Sequence, residues 1–280
     1  MSASAISIEK LDVGQLTEAQ ATLLMPLWAR AVESRREDPL LKDDEAERIV
    51  ESLDFDFGRF EAKSVPVVDY CLRASVVDQV VQQFVDDHPT GTVVEVGVGL
   101  DTRFDRLDNA AARWFELDLP AVMQLRCRFF ADNEQRTMMA GSLLDDCWMN
   151  RVVKESPAGP ILFVAEGVFY FFQRLEIEGV MRRLADRFPL GEIVFDAQSP
   201  WFLMVSNWRH PLRDSRLEFS LGSAVDVEQW DDRLRLKQAI GFGDSPYYDQ
   251  GMKRVSNLRR WARRLLPPVR HLFKVVHVTW

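Results

Sequence analysis

Two rhythms alternate along the chain. Before residue 90 the apolar positions recur at three- and four-residue spacings, the period of one helix face. Leu23, Leu24, Leu27 and Trp28 predict a helix from an N-cap at Thr17 to about Glu37, with Pro39 as its stop. Val68, Leu72, Ser75, Val76, Gln79 and Val80 predict a second helix over about 67–86, closed by His88, Pro89 and Gly91. From there the pattern changes to short β-rich runs at 92–96, 113–117, 136–140, 161–165 and 192–195. Strands lose the apolar/polar alternation when both faces are covered, and stretches 121–131 and 175–188 between these runs have helical period. Together they predict an α/β fold with a doubly wound, mostly parallel sheet.

The remainder is less regular. Residues 199 to about 229 hold Trp201, Phe202, Trp208, His210 and Pro211 without a clean period, which predicts an excursion covering a site. Stretch 253–266 reads as a helix carrying Arg259, Arg260, Arg263 and Arg264 on a solvated face and stopped by Pro267 and Pro268. An alternating run from His271 to Trp280 predicts a terminal antiparallel strand. No boundary between domains stands out, so 1–280 is read as one domain: a helical cap to residue 90, a core over 91–198, an inserted lid over 199–252 and a closing helix and strand over 253–280.

Composition narrows the function. The chain has 280 residues, 47% of them hydrophobic, enough to bury a sizeable core. Its 43 acidic residues outnumber its 35 basic ones, giving a net charge of −8 and no positive field for nucleic acid or an anionic membrane. Cys71, Cys127 and Cys147 form no C-x-x-C pair, so neither a disulfide framework nor a zinc knuckle is written here, and a reducing cytoplasm fits. The first thirty residues lack the apolar run of a signal peptide, and no stretch approaches the ~18 apolar residues of a membrane span. No His/Cys/Asp cluster has metal-ligand spacing.

Candidate chemistry collects where the strands end. The first finishes in Glu95-Val-Gly97-Val-Gly99-Leu-Asp101-Thr102, a glycine turn that lets backbone approach a ligand or simply makes a tight strand-to-helix connection. Thr102 stands where the dinucleotide fingerprint needs its third glycine, which weakens a phosphate-cradling reading. The second strand ends in Glu116-Leu117-Asp118, with a carboxylate suited to a ribose diol; before Leu119-Pro120, Asp118 also suits a helix N-cap. Gly141-Ser142-Leu143 follows the third strand and Glu166-Gly167 the fourth.

In their order these motifs resemble the leucine carboxyl methyltransferase family of class I S-adenosylmethionine-dependent enzymes. Arg73 with Asp78 is similar to its Arg-x-x-x-x-Asp signature, residues 93–103 with Arg106-Leu107 to its glycine motif, Phe115–Pro120 to its ribose strand, and Val164-Ala-Glu166-Gly-Val168 to its fourth-strand motif. The resemblance implies a Rossmann-like, seven-stranded fold with S-adenosyl-L-methionine as cofactor. It also implies that Arg73 binds the cofactor carboxylate, Gly97 and Gly99 line the methionine portion, Asp118 holds the ribose, Ser142 and Leu143 border the adenine, Glu166 lies by the cofactor near the substrate mouth, and Glu95 and Leu119 also belong to the cofactor site. Ser142 replaces an aspartate usual in phosphatase-directed members, Phe169-Tyr170-Phe171-Phe172 replaces a Tyr-Leu pair, and 219–230 looks like a degraded Trp-Gly and Glu-x-Trp stretch. These departures point to the bacterial small-molecule branch and secondary-metabolite, polyketide-like biosynthesis.

The expected reaction is in-line transfer of a methyl group to a carboxyl or hydroxyl oxygen of a small molecule. A carboxylate acceptor needs no base, whereas a phenol profits from one. His210 is the candidate base and Arg209 the candidate substrate anchor; His88, His271 and His277 read as structural. Tyr170, Trp201, Phe202, Trp208 and Tyr247 are candidates for an aromatic substrate pocket or, equally, for core packing. Competing readings are a non-catalytic S-adenosylmethionine-binding protein and an NAD-dependent oxidoreductase. The oligomeric state is left open by the sequence.

Overall fold

Each apolar run that the pattern marks as a strand is one, because each is covered on both faces. The computed structural model describes residues 11–12, 23–62, 66–209, 217–256 and 272–280. Among them, helices α1 (Leu24–Ser34), α2 (Asp44–Ser52) and α3 (Val67–Asp87) precede strand β1 (Thr92–Val96). There follow β2 (Arg113–Asp118), α4 (Pro120–Arg126), β3 (Arg136–Ala140), α5 (Cys147–Glu155), β4 (Ile161–Ala165), α6 (Arg174–Arg187), β5 (Gly191–Gln198), α7 (Pro200–Arg209), β6 (Arg235–Gly241) and β7 (Phe273–Thr279).

The seven strands lie in the order β3-β2-β1-β4-β5-β7-β6. β1 to β5 are parallel, and β7 enters antiparallel between β5 and β6, with Phe195 opposite Val276. The order reverses between β1 and β4, so the connections after these two strands diverge and leave a crevice at their carboxyl ends.

Three apolar clusters hold this together. Val94, Val96, Phe115, Phe163 and Phe195 face α5 and α6, whose Trp148, Met149, Val152, Ile177, Val180 and Leu184 cover them. Alternate residues Val93, Trp114, Leu162 and Val194 face the other way, onto Val76, Val77, Val80 and Phe84 of α3. Leu24, Leu27, Trp28, Ile49, Val68 and Leu72 form a separate core that binds α1 and α2 to α3. Burial of such side chains contributes roughly 1.5 to 3 kcal/mol each, so α3, sandwiched between two clusters, is the element that fixes the cap to the sheet.

Some expectations are corrected. The helix expected over 121–131 stops at Arg126, because Arg128 and Phe129 bond back to Leu125 and Arg126 in tighter turns that take Phe130 into the cap core. The stretch read as a lid over 199–252 contains the edge strand β6, and its Phe219, Leu221, Val227 and Trp230 belong to the main core. The proposed start of the first helix at Thr17 and the helix over 253–266 fall wholly or mostly outside the described residues. The terminal antiparallel strand is present as β7.

Candidate functional site

The polypeptide leaves β1 through a left-handed turn that only glycine adopts easily, with φ at 65° for Gly97 and 54° for Gly99. A Cβ on Gly97 would also collide with Val168, so close packing of the β1 and β4 turns itself requires glycine. The turn is then fixed at consecutive carbonyls. Arg126 of α4 donates through Nη1 to Gly99 O (3.1 Å) and Asp101 O (2.7 Å), and Arg30 of α1 donates to Leu100 O (3.0 Å). Arg126 is itself held by Glu116 of β2, the two forming a fully buried pair.

At the end of β2, Asp118 Oδ2 accepts from Gly99 N–H at 2.7 Å and Oδ1 from Leu119 N–H at 2.7 Å. A carboxylate offers about four acceptor positions, so each oxygen keeps one direction for another donor. Burial pushes the Asp118 carboxyl above its ordinary value, opposed by the two amides. Leu119 is the N-cap of α4, with Pro120 next, and its side chain stays 55% exposed beside that carboxylate. The cap reading of Asp118 is therefore displaced by one residue.

Between the turn, α3 and the ends of β4 and β5 runs a buried ionic network. Arg73 Nε donates to Glu166 Oε1 at 2.9 Å and its Nη1 to Asp196 Oδ2 at 3.2 Å. Arg103 donates to Asp78 at 2.7 Å, to Glu95 Oε1 and to Glu166 Oε2. Arg106 donates to Asp78 at 2.8 Å and to Asp101 at 2.6 Å. Asp43, which caps α2, takes Arg30 at 2.8 Å and the Thr102 hydroxyl at 2.6 Å, joining the helical cap to the turn. Burial opposes the charge of Glu166, yet Arg73 and Arg103 outweigh it and hold the carboxyl below its ordinary value. Asp101, opposed by burial in the same way, is held well below by Arg103 and Arg106. Beside the network lies a small, partly open cleft lined by Glu95, Gly97, Val98, Asp101, Arg103 and Glu166.

The structure thus brings Arg73, Glu95, Gly97, Gly99, Asp118, Leu119 and Glu166 to the carboxyl ends of neighbouring strands. Arg73 is not in a surface salt bridge with Asp69 or Asp78; it spans to Glu166 and Asp196 beneath Gly167, whose φ of 72° lets the backbone lie against the guanidinium. The Ser142 hydroxyl accepts from Leu144 N–H at 3.1 Å, and the Leu143 side chain packs into the sheet core, leaving its main chain at the loop. Tyr170 is buried and donates to Asp196 at 2.7 Å. Phe202 packs edge-on against Phe273 at 4.3 Å, while Trp201 is 56% exposed and Tyr247 lies exposed at the start of a short helix, Tyr248–Met252. His210 and the side chains of Trp208 and Arg209 lie outside the described residues.

Four of the participants, Asp196, Arg103, Arg106 and Arg126, carry no assigned role in the sequence reading. Asp196 is signalled only as a lone acid at the end of an apolar strand. Arg103 and Arg106 sit inside a quoted motif without a function, and Arg126 looks like an ordinary polar residue of a crossover helix.

Residues 23–185 match the leucine carboxyl methyltransferase family. The tetracenomycin polyketide synthesis O-methyltransferase TcmP of Streptomyces glaucescens is 30% identical over 265 residues, covering 90% of this chain and 97% of that protein. The S-adenosyl-L-methionine-dependent methyltransferase dpfgK of Gibberella zeae is 27% identical over 232 residues, covering 75% of this chain and 78% of its own. With more than half of its length inside the matched region, the chain belongs to the leucine carboxyl methyltransferase family, a family of S-adenosylmethionine-dependent O-methyltransferases.

Proposed function

We propose that the protein methylates a carboxyl or phenolic oxygen of a small aromatic acceptor in polyketide-type biosynthesis, with the cofactor at the carboxyl ends of β1, β2 and β4. The observation that carries the acceptor class is the 30% identity to TcmP over nearly the whole of both chains. Exposed Phe171 and Trp201, on the segments that follow β4 and β5, add apolar aromatic surface on the side where an acceptor would enter.

The residues present fit the cofactor. Glu95 Oε2 is buried without a partner at the cleft wall, an acceptor waiting for a donor or a cation. Asp118 retains acceptor directions for a diol beside an exposed leucine suited to a flat ring. Arg73 has five N–H donors, of which Nε and Nη1 serve Glu166 and Asp196, and its Nη2 remains for a carboxylate.

Bound there, S-adenosylmethionine supplies an electrophilic methyl group on a sulfonium. What the chain contributes is alignment. Arg126 and Arg30 hold the turn so that Gly97 and Gly99 present backbone in one conformation, and the Arg73 bridge ties the ends of β4 and β5 to α3. Such preorganisation of reacting groups accounts for roughly 7 to 11 kcal/mol in well-aligned intramolecular reactions. A carboxylate acceptor is already anionic and needs no base; a phenol requires one, and His210 with Arg209 as anchor is proposed for those roles.

Purified protein incubated with methyl-labelled S-adenosylmethionine and a panel of aromatic hydroxy acids tests the proposal. Label in an ester or aryl methyl ether is the expected outcome. Transfer only to aliphatic or amine acceptors would overturn the acceptor class.

A further inference from the structure

Among the described residues, the strand-end network sets four arginines, Arg30, Arg73, Arg103 and Arg106, against six carboxylates, Asp43, Asp78, Glu95, Asp101, Glu166 and Asp196. None of these ten side chains is more than 12% exposed. Two negative charges in excess are costly in such surroundings, so the buried carboxylate with the fewest donors is the first to be neutralised.

Hydrogen bonding shows where neutralisation falls. Asp43 accepts from Arg30 and Thr102 at one oxygen and Ala46 N–H at the other. Both oxygens of Asp78 take Arg106, and those of Glu166 take Arg73 and Arg103. Asp101 meets Arg106 and Arg103, and Asp196 meets Arg73, Tyr170 and Gly167 N–H. Glu95 differs: Oε1 takes Arg103, and Oε2 has nothing. Among the described residues no second donor lies within hydrogen-bond distance of it. β2 places Glu116 opposite, already paired with Arg126; β4 carries Glu166 beyond Val164; α3 contributes Asp78 across Arg103; the turn contributes Asp101.

Building on the cofactor placement proposed above, we propose that Glu95 holds a proton in the free protein and releases it to solvent when the cationic methionine end of S-adenosylmethionine enters the cleft. Capture of the cofactor is then coupled to loss of one proton from Glu95 Oε2. Burial pushes this carboxyl up to about 7, with Arg103 opposing and Asp101 and Glu116 reinforcing, so the coupling operates near neutrality.

Calorimetric titration of the wild-type protein with S-adenosylmethionine at pH 6, in buffers of different ionisation enthalpy, reads the proton directly. At that pH the cofactor's own amino group, of pKa ~7.7–8.0 in model compounds, stays protonated. Release of nearly one proton is expected, with affinity rising close to tenfold, ~10-fold per pH unit, from pH 5.5 to 6.5. Binding with the same heat in every buffer would overturn the proposal. Absence of binding at any pH would instead overturn the cofactor placement beneath it. Glu95→Gln, checked for a native circular dichroism spectrum, should bind with an affinity that no longer depends on pH over that range; persistence of the wild-type slope would assign the proton to another group and refute the role of Glu95.

Discussion

Strand β5 carries an acid near each end, and the two have different fates. At its amino end Glu192 faces the antiparallel edge, where His277 Nε2 lies at 2.6 Å and the half-exposed Lys237 Nζ at 2.9 Å. Burial opposes its charge, but those two partners hold the carboxyl down to about 2. At the carboxyl end Asp196 is fully buried and accepts from Arg73, Tyr170 and Gly167, yet burial still raises its carboxyl above the ordinary value. One acid is served locally by Lys237 and His277 from the neighbouring antiparallel strands. The other belongs to a cluster in which carboxylates outnumber arginines, and that imbalance sits where the strand order reverses. Charge at the edge serves pairing of strands; charge at the crevice is left short of cation, as a site for a cationic ligand would be.

The contrast can be broken at either end. Arg103→Ala removes the hub from Asp78, Glu95 and Glu166 together, and urea unfolding should show a loss of about 3 to 5 kcal/mol, the usual effect of stranding buried partners. Asp118→Ala should leave folding nearly intact and weaken S-adenosylmethionine binding by roughly 1.5 to 3 kcal/mol, as expected for lost charged hydrogen bonds; equal affinity of variant and wild type would refute the ribose role. Glu192→Gln should cost about 1 kcal/mol at neutral pH, because Lys237 is half in solvent and the buried His277 ring can still hydrogen-bond to the amide. Its folded-state pKa is depressed, so its contribution is present above an ordinary value of 4.5 and fades as pH falls toward about 2. Acid unfolding of the variant should therefore lack that part of the wild-type decline, and identical acid profiles would show that the pairing with His277 and Lys237 adds nothing.

Legibility in the sequence followed burial. Five parallel strands announce themselves because their short runs are mostly buried and rich in apolar residues with no clean alternation, and α3 because two clusters claim opposite sides of it. β6 was invisible: Arg235-Leu-Lys-Gln-Ala-Ile-Gly241 is an edge strand, mostly exposed, with a register shift between Leu236 and Gln238. Helix α2 was missed for a related reason, since only Ala46 and Ile49 of it are buried. At the site, the glycine turn and Asp118 were readable because strand-end position alone marks them. The network was not, because Arg73, Arg103, Asp196 and Glu166 lie 30 to 123 residues apart and meet only once the sheet order is set. No local spacing encodes that Glu95 would be left with a bare oxygen.

Whether the crevice between β1 and β4 holds the cofactor is tested most directly by a crystal structure of the protein with S-adenosylhomocysteine. Density for the ligand across Gly97 and Gly99, with its ribose hydroxyls on Asp118 and its carboxylate on Arg73, is the expected result. Ligand bound elsewhere, with Asp118 still met only by the amides of Gly99 and Leu119, would contradict the assignment of this site.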